Sequence, residues 1–359
     1  MVEAKSIETL SVSFTAGVIA GTGLSAAGPA LPLTLLSPLL LPLVFRHRMI
    51  RLPSAGSVTV MALTFLLLGM FCAWNGAQAG IPLLSPLEDA ATRSADALRN
   101  FIDSLPFGQK ETAPLLKALL TGDRSGLSPE TVAAFRGSGA SHILALSGLH
   151  MGVIYLIFDK LAPLIGQSRT ARRLRYAAIL TGAAFFTLMT GAGPSIVRAF
   201  LFIAIRETLR LTGRPCRPVK VLALALLVQL VMDPGVIRSL GFQLSYLAMA
   251  GILLLYPILE RWYPESARWD PFRRIWKMAA LSISCQVFTG PLAWLRFHSF
   301  PTYFLLTNLL ALPLTGALMG TSLLTLGLEA IGFCPSLLFT ATDFLARLLL
   351  WILTVISSM

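Results

Sequence analysis

Long apolar runs repeat along the whole sequence, and they constrain the fold more than any other feature. Residues 219–232 and 275–294, for example, are predominantly apolar and do not alternate polar with apolar positions. In lipid the backbone must satisfy its own hydrogen bonds, so only helices and closed barrels cross a membrane, and barrel strands alternate. The 359 residues are 55% hydrophobic and 13% charged. The sequence therefore predicts an all-α, polytopic transmembrane helical bundle with about 10–11 spans.

The predicted spans follow the apolar runs. They are residues 10–26, 31–45, 57–74, 141–165, 176–190, 195–211, 219–232, 239–259, 275–297, 303–328 and 337–356. Residues 303–328 are too long for a simple crossing and contain Asn308 and Pro313, so three interpretations stay open: broken, re-entrant or steeply tilted.

Basic residues concentrate in every second loop between the predicted spans. Four clusters account for most of them: Arg46, Arg48 and Arg51; Arg169, Arg172, Arg173 and Arg175; Arg206, Arg210, Arg214, Arg217 and Lys220; and Arg261, Arg268, Arg273, Arg274 and Lys277. Loops of this kind are cytoplasmic by the positive-inside rule, which explains most of the +12 net charge without nucleic-acid contacts. The rule places the N-terminus in the cytoplasm and residues 76–140 outside.

The charge pattern divides the chain into three predicted parts. Residues 1–75 form N-terminal transmembrane helices, residues 76–140 an extracytoplasmic segment, and residues 141–359 the main transmembrane domain. Helix-start signals at Ser85, Thr112 and Ser128-Pro129 predict short amphipathic helices on the outer face. The first of these carries apolar residues at helical spacing, namely Leu87, Ala91, Leu98, Ile102 and Leu105.

Polar residues cluster where the span at 141–165 begins. Ser141, His142, Ser147, Gly148 and His150 fall within ten positions. Polar groups at membrane depth are costly unless they lie in protein or line water, so this cluster is a candidate for an aqueous entrance. The alternative is that each group bonds a neighbouring helix, as Ser and His often do in membranes.

A second candidate site begins at the sequence Gly-Ala-Gly-Pro-Ser-Ile-Val-Arg, residues 191–198. Pro194 suits the first position of a helix, and Ser195 follows it. Unpaired N–H groups and the positive end of the helix dipole, together with Arg198 one turn later, predict an anion site, with phosphate the obvious anion. A buried Arg costs about 2.5–3.5 kcal/mol at membrane depth. The alternative is that Arg198 pairs with a carboxylate, for which Asp233 and Asp123 are candidates.

Weaker candidates complete the predicted lining of a polar path. Asp233 ends one span, Gln243 and Ser245 open the next, and Asn308 lies in the long late span. The four cysteines stand alone and no metal motif is present, so the sequence predicts no metal site, no cofactor and no catalytic residue. No phosphate-binding loop is present either, so energy for transport would come from partners.

Taken in order, four stretches resemble the membrane domain of the ComEC-type DNA-internalisation competence family. They are LLTGDRSGLSPETVAAFRGSGASHILALSGLHMGV, GPSIVRAF, DPGVIRSLGFQLSYLAMAGILLLYP and, more weakly, TGPLAWLRFHSFPTYFLLTNLLALPL. The resemblance implies a channel that carries one DNA strand across the bacterial inner membrane during natural transformation. It also implies that residues 141–359 are a competence-type transmembrane channel domain.

The sequence also departs from the family pattern. Fuller members are similar in carrying an external oligonucleotide-binding-type domain and a metallo-β-lactamase-like domain. Residues 76–110 are too few for the former, and no His-x-His-x-Asp-His motif indicates the latter. The resemblance implies single-stranded DNA and the lipid bilayer as partners. It leaves three alternatives open: the chain works with a separate nuclease, together with a DNA receptor and a cytoplasmic helicase; it is a truncated copy; or it carries another cargo. It also allows a homodimer.

Two other functions compete with the channel. The first is a carrier for a small anionic or lipid-linked solute, although the sequence shows no duplicated halves of the kind many carriers have. The second is an intramembrane serine hydrolase, in which Ser147 would be activated by His150, His142 or His298. No oxyanion-hole motif accompanies that serine, so the sequence favours a protein that is not an enzyme.

Overall fold

The computed structural model of the protein describes residues 2–23, 54–75, 85–161, 166, 168–264, 270–298 and 302–359. Every regular element in these ranges is a helix. The predicted all-α fold class is confirmed.

Fifteen α-helices lie in the described ranges. They are α1 (Val2–Gly23), α2 (Ser54–Asn75), α3 (Ser85–Ser104), α4 (Thr112–Thr121), α5 (Pro129–Gly137), α6 (Ser141–Leu144), α7 (Gly148–Leu161), α8 (Arg169–Met189), α9 (Pro194–Leu211), α10 (Pro218–Met232), α11 (Leu240–Leu254), α12 (Tyr256–Arg261), α13 (Pro271–Phe297), α14 (Phe304–Ala330) and α15 (Ser336–Ser357). A short 3₁₀ helix, Pro234–Arg238, joins α10 to α11.

The chain divides into two compact units, and each combines two separate stretches of sequence. The first holds Met1–Leu83 and Phe200–Gln243, and the second holds Leu84–Ala199 and Leu244–Met359. The predicted boundaries near residues 75 and 140 concern position relative to a membrane, whereas these units reflect contacts within the protein. Those boundaries therefore stay a prediction.

In the first unit, α1 and α2 cross so closely that only glycine fits at the crossing. A Cβ atom built on Gly17 would lie 1.8 Å from the Leu66 carbonyl oxygen, and one built on Gly69 would lie 2.2 Å from that of Phe14. Small residues permit this backbone approach in apolar helix pairs. Helix α1 also packs on α10, so these three helices form the body of the unit.

In the second unit, one apolar core joins α4, α5, α14 and α15. Leu116, Phe135, Leu318 and Leu349 come from these four helices in turn, and none has exposed surface. Helix α4 is therefore a central element of this unit, although it has only ten residues.

Helix α15 also holds the loop between α3 and α4. The carboxylate of Asp343 accepts the Gly108 N–H at 2.7 Å and the Thr112 hydroxyl at 2.6 Å. The ring of Phe107 meets that of Phe339 edge to face, with 5.6 Å between centroids. Charge-assisted hydrogen bonds and an aromatic pair thus fasten the start of α4 to α15.

Four described helical stretches are long and apolar enough to cross a membrane: Leu240–Arg261, Pro271–Phe297, Phe304–Ala330 and Ser336–Ser357. Ile7–Thr22, Ala62–Ala73 and Pro218–Met232 are apolar but shorter. The predicted spans at 176–190 and 195–211 are helical but fall outside this set, because α8 and α9 carry several arginines. The predicted span at 31–45 lies outside the described residues.

The three helices predicted between residues 85 and 140 are present as α3, α4 and α5. The Ser128 hydroxyl accepts the Thr131 N–H at 3.2 Å, which caps α5. On α3, Ala91 and Ile102 are buried whereas Leu87 is 55% exposed. Most of the apolar face of α3 therefore packs within the protein, against α4 and α8.

Two predicted spans contain breaks. Residues 141–165 do not form one helix, because α6 ends at Leu144 and α7 starts only at Gly148. Residues 239–259 divide into α11 and α12 at Leu255, two residues before Pro257, which cannot donate a backbone hydrogen bond.

Residues 303–328, in contrast, form one helix where the sequence allowed a break. Helix α14 is continuous from Phe304 to Ala330 with Pro313 inside it, so the broken and re-entrant interpretations are wrong. Its packing against α15 supports the helix through the proline.

Candidate functional site

The break between α6 and α7 is stabilised by a hydrogen-bonded cap. The backbone N–H of Ser147 donates to Nδ1 of His150 at 3.1 Å, and the Leu149 N–H donates to the Ser147 hydroxyl oxygen at 3.3 Å. This arrangement is a capping box in which a histidine takes the place of the usual glutamate or glutamine. The sequence Ser-Gly-Leu-His thus starts a new helix where hydropathy predicted a continuous one.

The cap determines which nitrogen of His150 carries the proton. Because Nδ1 accepts an amide N–H, the proton of the neutral ring lies on Nε2. The side chain has no exposed surface. The Ser147 hydroxyl also lies 3.1 Å from Nδ1, so the serine and the histidine are in contact.

This contact differs from a hydrolase dyad in one respect. A histidine that activates serine is oriented by a third group on its other nitrogen. Within the described ranges, Nε2 of His150 has no hydrogen-bond partner. The geometry is therefore that of a helix cap.

A tight turn precedes α9. Gly191 and Ala192 both have positive φ, 77° and 49°. The carbonyl of Gly193 accepts the N–H of Ile196 at 3.0 Å, and Pro194 has no N–H to offer. The turn therefore pairs one of the amides that the sequence predicted as unpaired, that of Ile196, and proline removes another. The helix dipole remains.

Arg198 lies one turn into α9 and is 9% exposed. Its guanidinium donates to the carbonyl oxygen of Ser245, and its central carbon lies 5.9 Å from the centre of the Tyr246 ring, a cation–π contact. A Cβ atom built on Gly148 would lie 3.6 Å from Nη2 of Arg198. The guanidinium therefore lies against the start of α7.

No carboxylate neutralises Arg198 within the part of the chain that the structure describes. The two predicted partners are engaged elsewhere. Asp123 contacts Ser125, and Asp233 caps the 3₁₀ helix by accepting the Gly235 N–H at 2.9 Å. The interpretation of Arg198 as half of a buried ion pair with Asp123 is therefore wrong, whereas its pairing with Asp233, which belongs to the first unit, stays a prediction.

A cleft of about 180 Å³ lies at the start of α9. It is lined by Gly122, Arg124, Ala145, Leu146, Thr190, Gly193, Pro194, Ser195 and Ile196. The break before α7, the turn before α9 and the turn after α4 therefore meet at one place. Of the residues predicted for the two candidate sites, Pro194 and Ser195 line this cleft, and the two sites approach each other where Gly148 lies against Arg198.

Arg124 is a cleft residue that the sequence prediction missed. It follows Gly122, which ends α4 in the left-handed conformation with φ of 80°. A Cβ atom on Gly122 would lie 2.6 Å from a methyl carbon of Leu146, so glycine lets the two turns pack. The signal in the sequence was Thr-Gly-Asp-Arg itself, a helix end followed by a charge.

The carboxylate next to Arg124 in the sequence, that of Asp123, pairs with a different arginine. Ser125 donates its hydroxyl and its backbone N–H to Asp123 at 2.7 and 3.0 Å, which holds the pKa of the Asp123 carboxyl below its usual range. Arg99 lies 3.6 Å from this carboxylate. Arg124 forms no ion pair within the described ranges, so the cleft wall keeps a positive charge.

The remaining predicted residues lie apart from this cleft. Ser141 and His142 are exposed, and His142 Nδ1 lies 3.2 Å from the Gly139 carbonyl oxygen. Asp233 and Gln243 belong to the first unit, where the Gln243 amide donates to the Ile237 carbonyl at 2.8 Å. Asn308 lies on α14 in the second unit.

Residues 119–359 match the family model named Competence, described as "Competence protein". The chain belongs to this family. The Competence match covers α5 to α15 and so includes the cap, Arg198 and every residue that lines the cleft. No solved structure matches the chain.

Curated relatives of this Competence-family chain come from several bacteria. It is 25% identical to "ComE operon protein 3" of Bacillus subtilis (strain 168), over 60% of this chain and 27% of that protein. It is 30% identical to "Competence protein ComA" of Neisseria gonorrhoeae, over 68% of this chain and 35% of that protein. "Uncharacterized protein YcaI" of Escherichia coli (strain K12) is 28% identical, over 54% of this chain and 26% of that protein. The chain thus spans about a quarter to a third of these three relatives.

Together, the Competence family and the four long apolar helices make this chain a membrane protein.

Proposed function

We propose that this protein takes part in DNA uptake as a channel that admits single-stranded DNA through the bacterial inner membrane. Membership of the Competence family and the relative named Competence protein ComA support the role in uptake. The channel mechanism is inferred from the cleft, the helix break and Arg198. On this proposal the N-terminus is cytoplasmic, in agreement with the alternating basic loops.

The observation that carries the proposal is a buried cation with no carboxylate partner among the described residues. Arg198 is 91% shielded from solvent, yet its described partners are a carbonyl oxygen and an aromatic ring. A buried charge that lacks a counter-ion is costly, so such an arginine in a membrane protein favours an anionic cargo. A phosphate oxygen is the acceptor that a guanidinium binds best.

The cleft carries groups that suit the first contact with an anionic cargo. Arg124 and the positive end of the α9 dipole both border it, and Ser195 and Thr190 add hydroxyls. These groups are few, and all except Arg124 are neutral. A sparse set of positive groups lets a polyanion move on, whereas a dense cationic lining would hold it.

Ser147, Gly148 and His150 support the same path indirectly. Their cap ends one helix and starts another beside Arg198, which leaves room for the guanidinium at Gly148. Ser245 contributes its backbone carbonyl rather than its side chain.

Nuclease-protected uptake tests the proposal. The purified chain is placed in liposomes, a labelled single-stranded oligonucleotide is added outside, and the label that survives external nuclease is measured. Arg198→Met removes the charge at similar length, and loss of a hydrogen bond to a charged group predicts uptake at least about tenfold lower. Arg173→Met is the matched control, because Arg173 is exposed on α8 and the net charge changes equally.

Equal uptake by the two variants would remove Arg198 from the mechanism. Liposomes that accumulate inorganic phosphate but no oligonucleotide would instead support the carrier for a small anion. Labelling by a serine-directed probe that disappears in Ser147→Ala would support the hydrolase.

Partners complete the proposal. The DNA receptor, the nuclease and the helicase are assigned to separate proteins, and a homodimer is assigned as the assembly. Crosslinking of the full chain in its own membrane, followed by mass measurement, tests for the homodimer.

A further inference from the structure

Helix α15 carries two charged residues in the interior of a stretch that is long and apolar enough to cross a membrane. They are Asp343 and Arg347, which lie one helical turn apart. Charged side chains at membrane depth are costly unless protein or water satisfies them. One loop, between α3 and α4, supplies partners for both residues.

The contacts of this loop fix its level along α15. The carboxylate of Asp343 accepts hydrogen bonds from Gly108 and from Thr112, the first residue of α4. The side-chain amide of Gln109, oriented with its oxygen toward α15, accepts the Nε–H of Arg347 at 3.0 Å. The loop therefore lies beside the interior of α15 and not beside either end of that helix.

Helix α5 contacts the far end of α15. A Cβ atom built on Gly137 would lie 3.0 Å from the Cβ atom of Ser357, and the Ser138 carbonyl accepts the Thr307 hydroxyl at 2.7 Å. The end of α5, the end of α15 and the start of α14 are therefore close to one level. The positive-inside rule makes this the outer level, because the basic cluster at 261–277 precedes α13 and α13 precedes α14.

The length of α15 gives the depth of the loop below this outer level. An α-helix rises 1.5 Å per residue, so Asp343 lies about 21 Å from Ser357 along the axis. The hydrocarbon core of a bilayer is about 30 Å thick. The loop that Asp343 holds therefore reaches about two thirds of the way through the core from the outer side.

Helices α3 and α4 run antiparallel on either side of this loop. Asp103 near the end of α3 pairs with Lys117 on α4 at 2.7 Å. One turn earlier on α3, Arg99 donates to the hydroxyl of Thr121 at the end of α4, at 3.3 Å. As α3 approaches the loop, its partners on α4 also lie closer to the loop, so the two helices form a hairpin with the loop at its tip.

The two sides of this hairpin differ in polarity. Helix α4 packs its leucines into the core of the second unit. Helix α3 exposes a polar face toward the tip, made of Arg93, Asp96, Asn100, Asp103 and Ser104. By contrast, α15 exposes Phe344, beside Asp343, and Trp351. At membrane depth the exposed aromatic residues of α15 suit lipid, whereas the polar face of α3 requires water.

We propose that α3 and α4 form a re-entrant hairpin that enters the membrane from the outer side, and that the polar face of α3 lines a water-filled vestibule. Arg99 lies 3.6 Å from Asp123, the neighbour of the cleft residue Arg124, so the vestibule lies beside the cleft. The polar face carries both signs of charge, which provides hydration without a strong hold on a polyanion.

The vestibule supplies a route through which a hydrated cargo reaches deep into the membrane before it leaves bulk water. Its use by a DNA strand rests on the proposed function. The hairpin and the water beside it do not.

Cysteine accessibility tests the hairpin and the vestibule. In a parent chain whose four cysteines are replaced by alanine, a single cysteine is placed at Ser104 or at Phe344, in sealed membrane vesicles with the outer side exposed. A membrane-impermeant maleimide is added outside. Because only the thiolate reacts and apolar surroundings suppress it, Ser104→Cys should react at least about tenfold faster than Phe344→Cys.

Two controls accompany this comparison. Thr92→Cys lies on the exposed surface of α3 farther from the tip, and it gives the rate for a site outside the membrane. In detergent, Ser104→Cys and Phe344→Cys should react at similar rates, because both side chains are exposed on the protein. Fast reaction of Phe344→Cys in vesicles would place the interior of α15 in water and overturn the re-entrant hairpin. Slow reaction of Ser104→Cys in vesicles would overturn the vestibule.

A single-stranded oligonucleotide separates the vestibule from the proposed function. If the strand takes this route, an excess of oligonucleotide should slow the labelling of Ser104→Cys severalfold. Labelling that the oligonucleotide leaves unchanged would refute the vestibule as the route of the strand. Fast labelling of Ser104→Cys in a chain that gives no nuclease-protected uptake would instead refute the proposed function and leave the water-filled vestibule supported.

Discussion

The contact between Asp343 and the loop before α4 makes a quantitative prediction about stability. Asp343→Ala removes two hydrogen bonds to a carboxylate, one from Gly108 at 2.7 Å and one from Thr112 at 2.6 Å. A hydrogen bond to a charged group contributes about 1.5–3 kcal/mol. Because the Gly108 bond is exposed to solvent and the Thr112 bond is only partly buried, the lower end of that range applies to both. The expected total loss is about 3 kcal/mol.

Thermal unfolding in detergent measures this loss. For a protein body of this size, about 3 kcal/mol corresponds to a drop in Tm of about 6–12 °C. Asp343→Asn keeps one acceptor oxygen and should lose about half as much. Thr112→Val should add nothing to Asp343→Ala, because the bond that it removes is already absent.

Asp96→Ala provides the matched control. Asp96 forms an ion pair with Arg99 at 2.7 Å, but its side chain is 57% exposed. Exposed ion pairs contribute about 0–1 kcal/mol. If Asp343→Ala lowers Tm no more than Asp96→Ala does, the loop is not held by Asp343 and the reasoning fails.

Three further substitutions test other parts of the structure. Ser128→Ala removes the cap of α5 and should lower stability by about 1 kcal/mol, measured by the same unfolding assay; an unchanged Tm would contradict the cap. Gly69→Val should prevent α1 and α2 from crossing, because even a Cβ atom lies 2.2 Å from the Phe14 carbonyl oxygen; loss of a cysteine crosslink between these helices reports it, and an intact crosslink would refute the close approach. Lys117→Met breaks the pair with Asp103 at 2.7 Å and should cost at most about 1 kcal/mol, less in high salt; a cost that salt leaves unchanged would contradict an exposed pair.

Features fixed by neighbouring residues could be predicted from the sequence. Ser128-Pro129 marks a helix start because the serine caps amides within three residues, and α5 begins there. The Asp-Pro-Gly turn after α10 is equally local, since Asp233 caps its own 3₁₀ helix. The run of apolar residues in α13, α14 and α15 likewise needs no tertiary information.

Features that depend on contacts between distant residues could not be predicted from the sequence. The apolar run around Leu146 looks continuous, and only the imidazole of His150 acting as a cap acceptor ends the helix there. The sequence identified Arg198 as an anion-binding residue but not its carbonyl partner, which lies 47 residues away. In the sequence, Arg124 has the features of an ordinary exposed turn residue. Only the packing of Leu146 on Gly122 places it in the cleft.

The attachment of α4 to α15 has a consequence for biogenesis. Thr112 and Asp343 are separated by 231 residues in the chain. At about 5–20 residues per second, a ribosome takes roughly 10–50 s to reach the second after making the first. During that interval α4, with its leucines, has no α14 or α15 to pack against. The nascent protein therefore needs the insertion machinery or a chaperone to shelter α4 until its late-synthesised neighbours arrive.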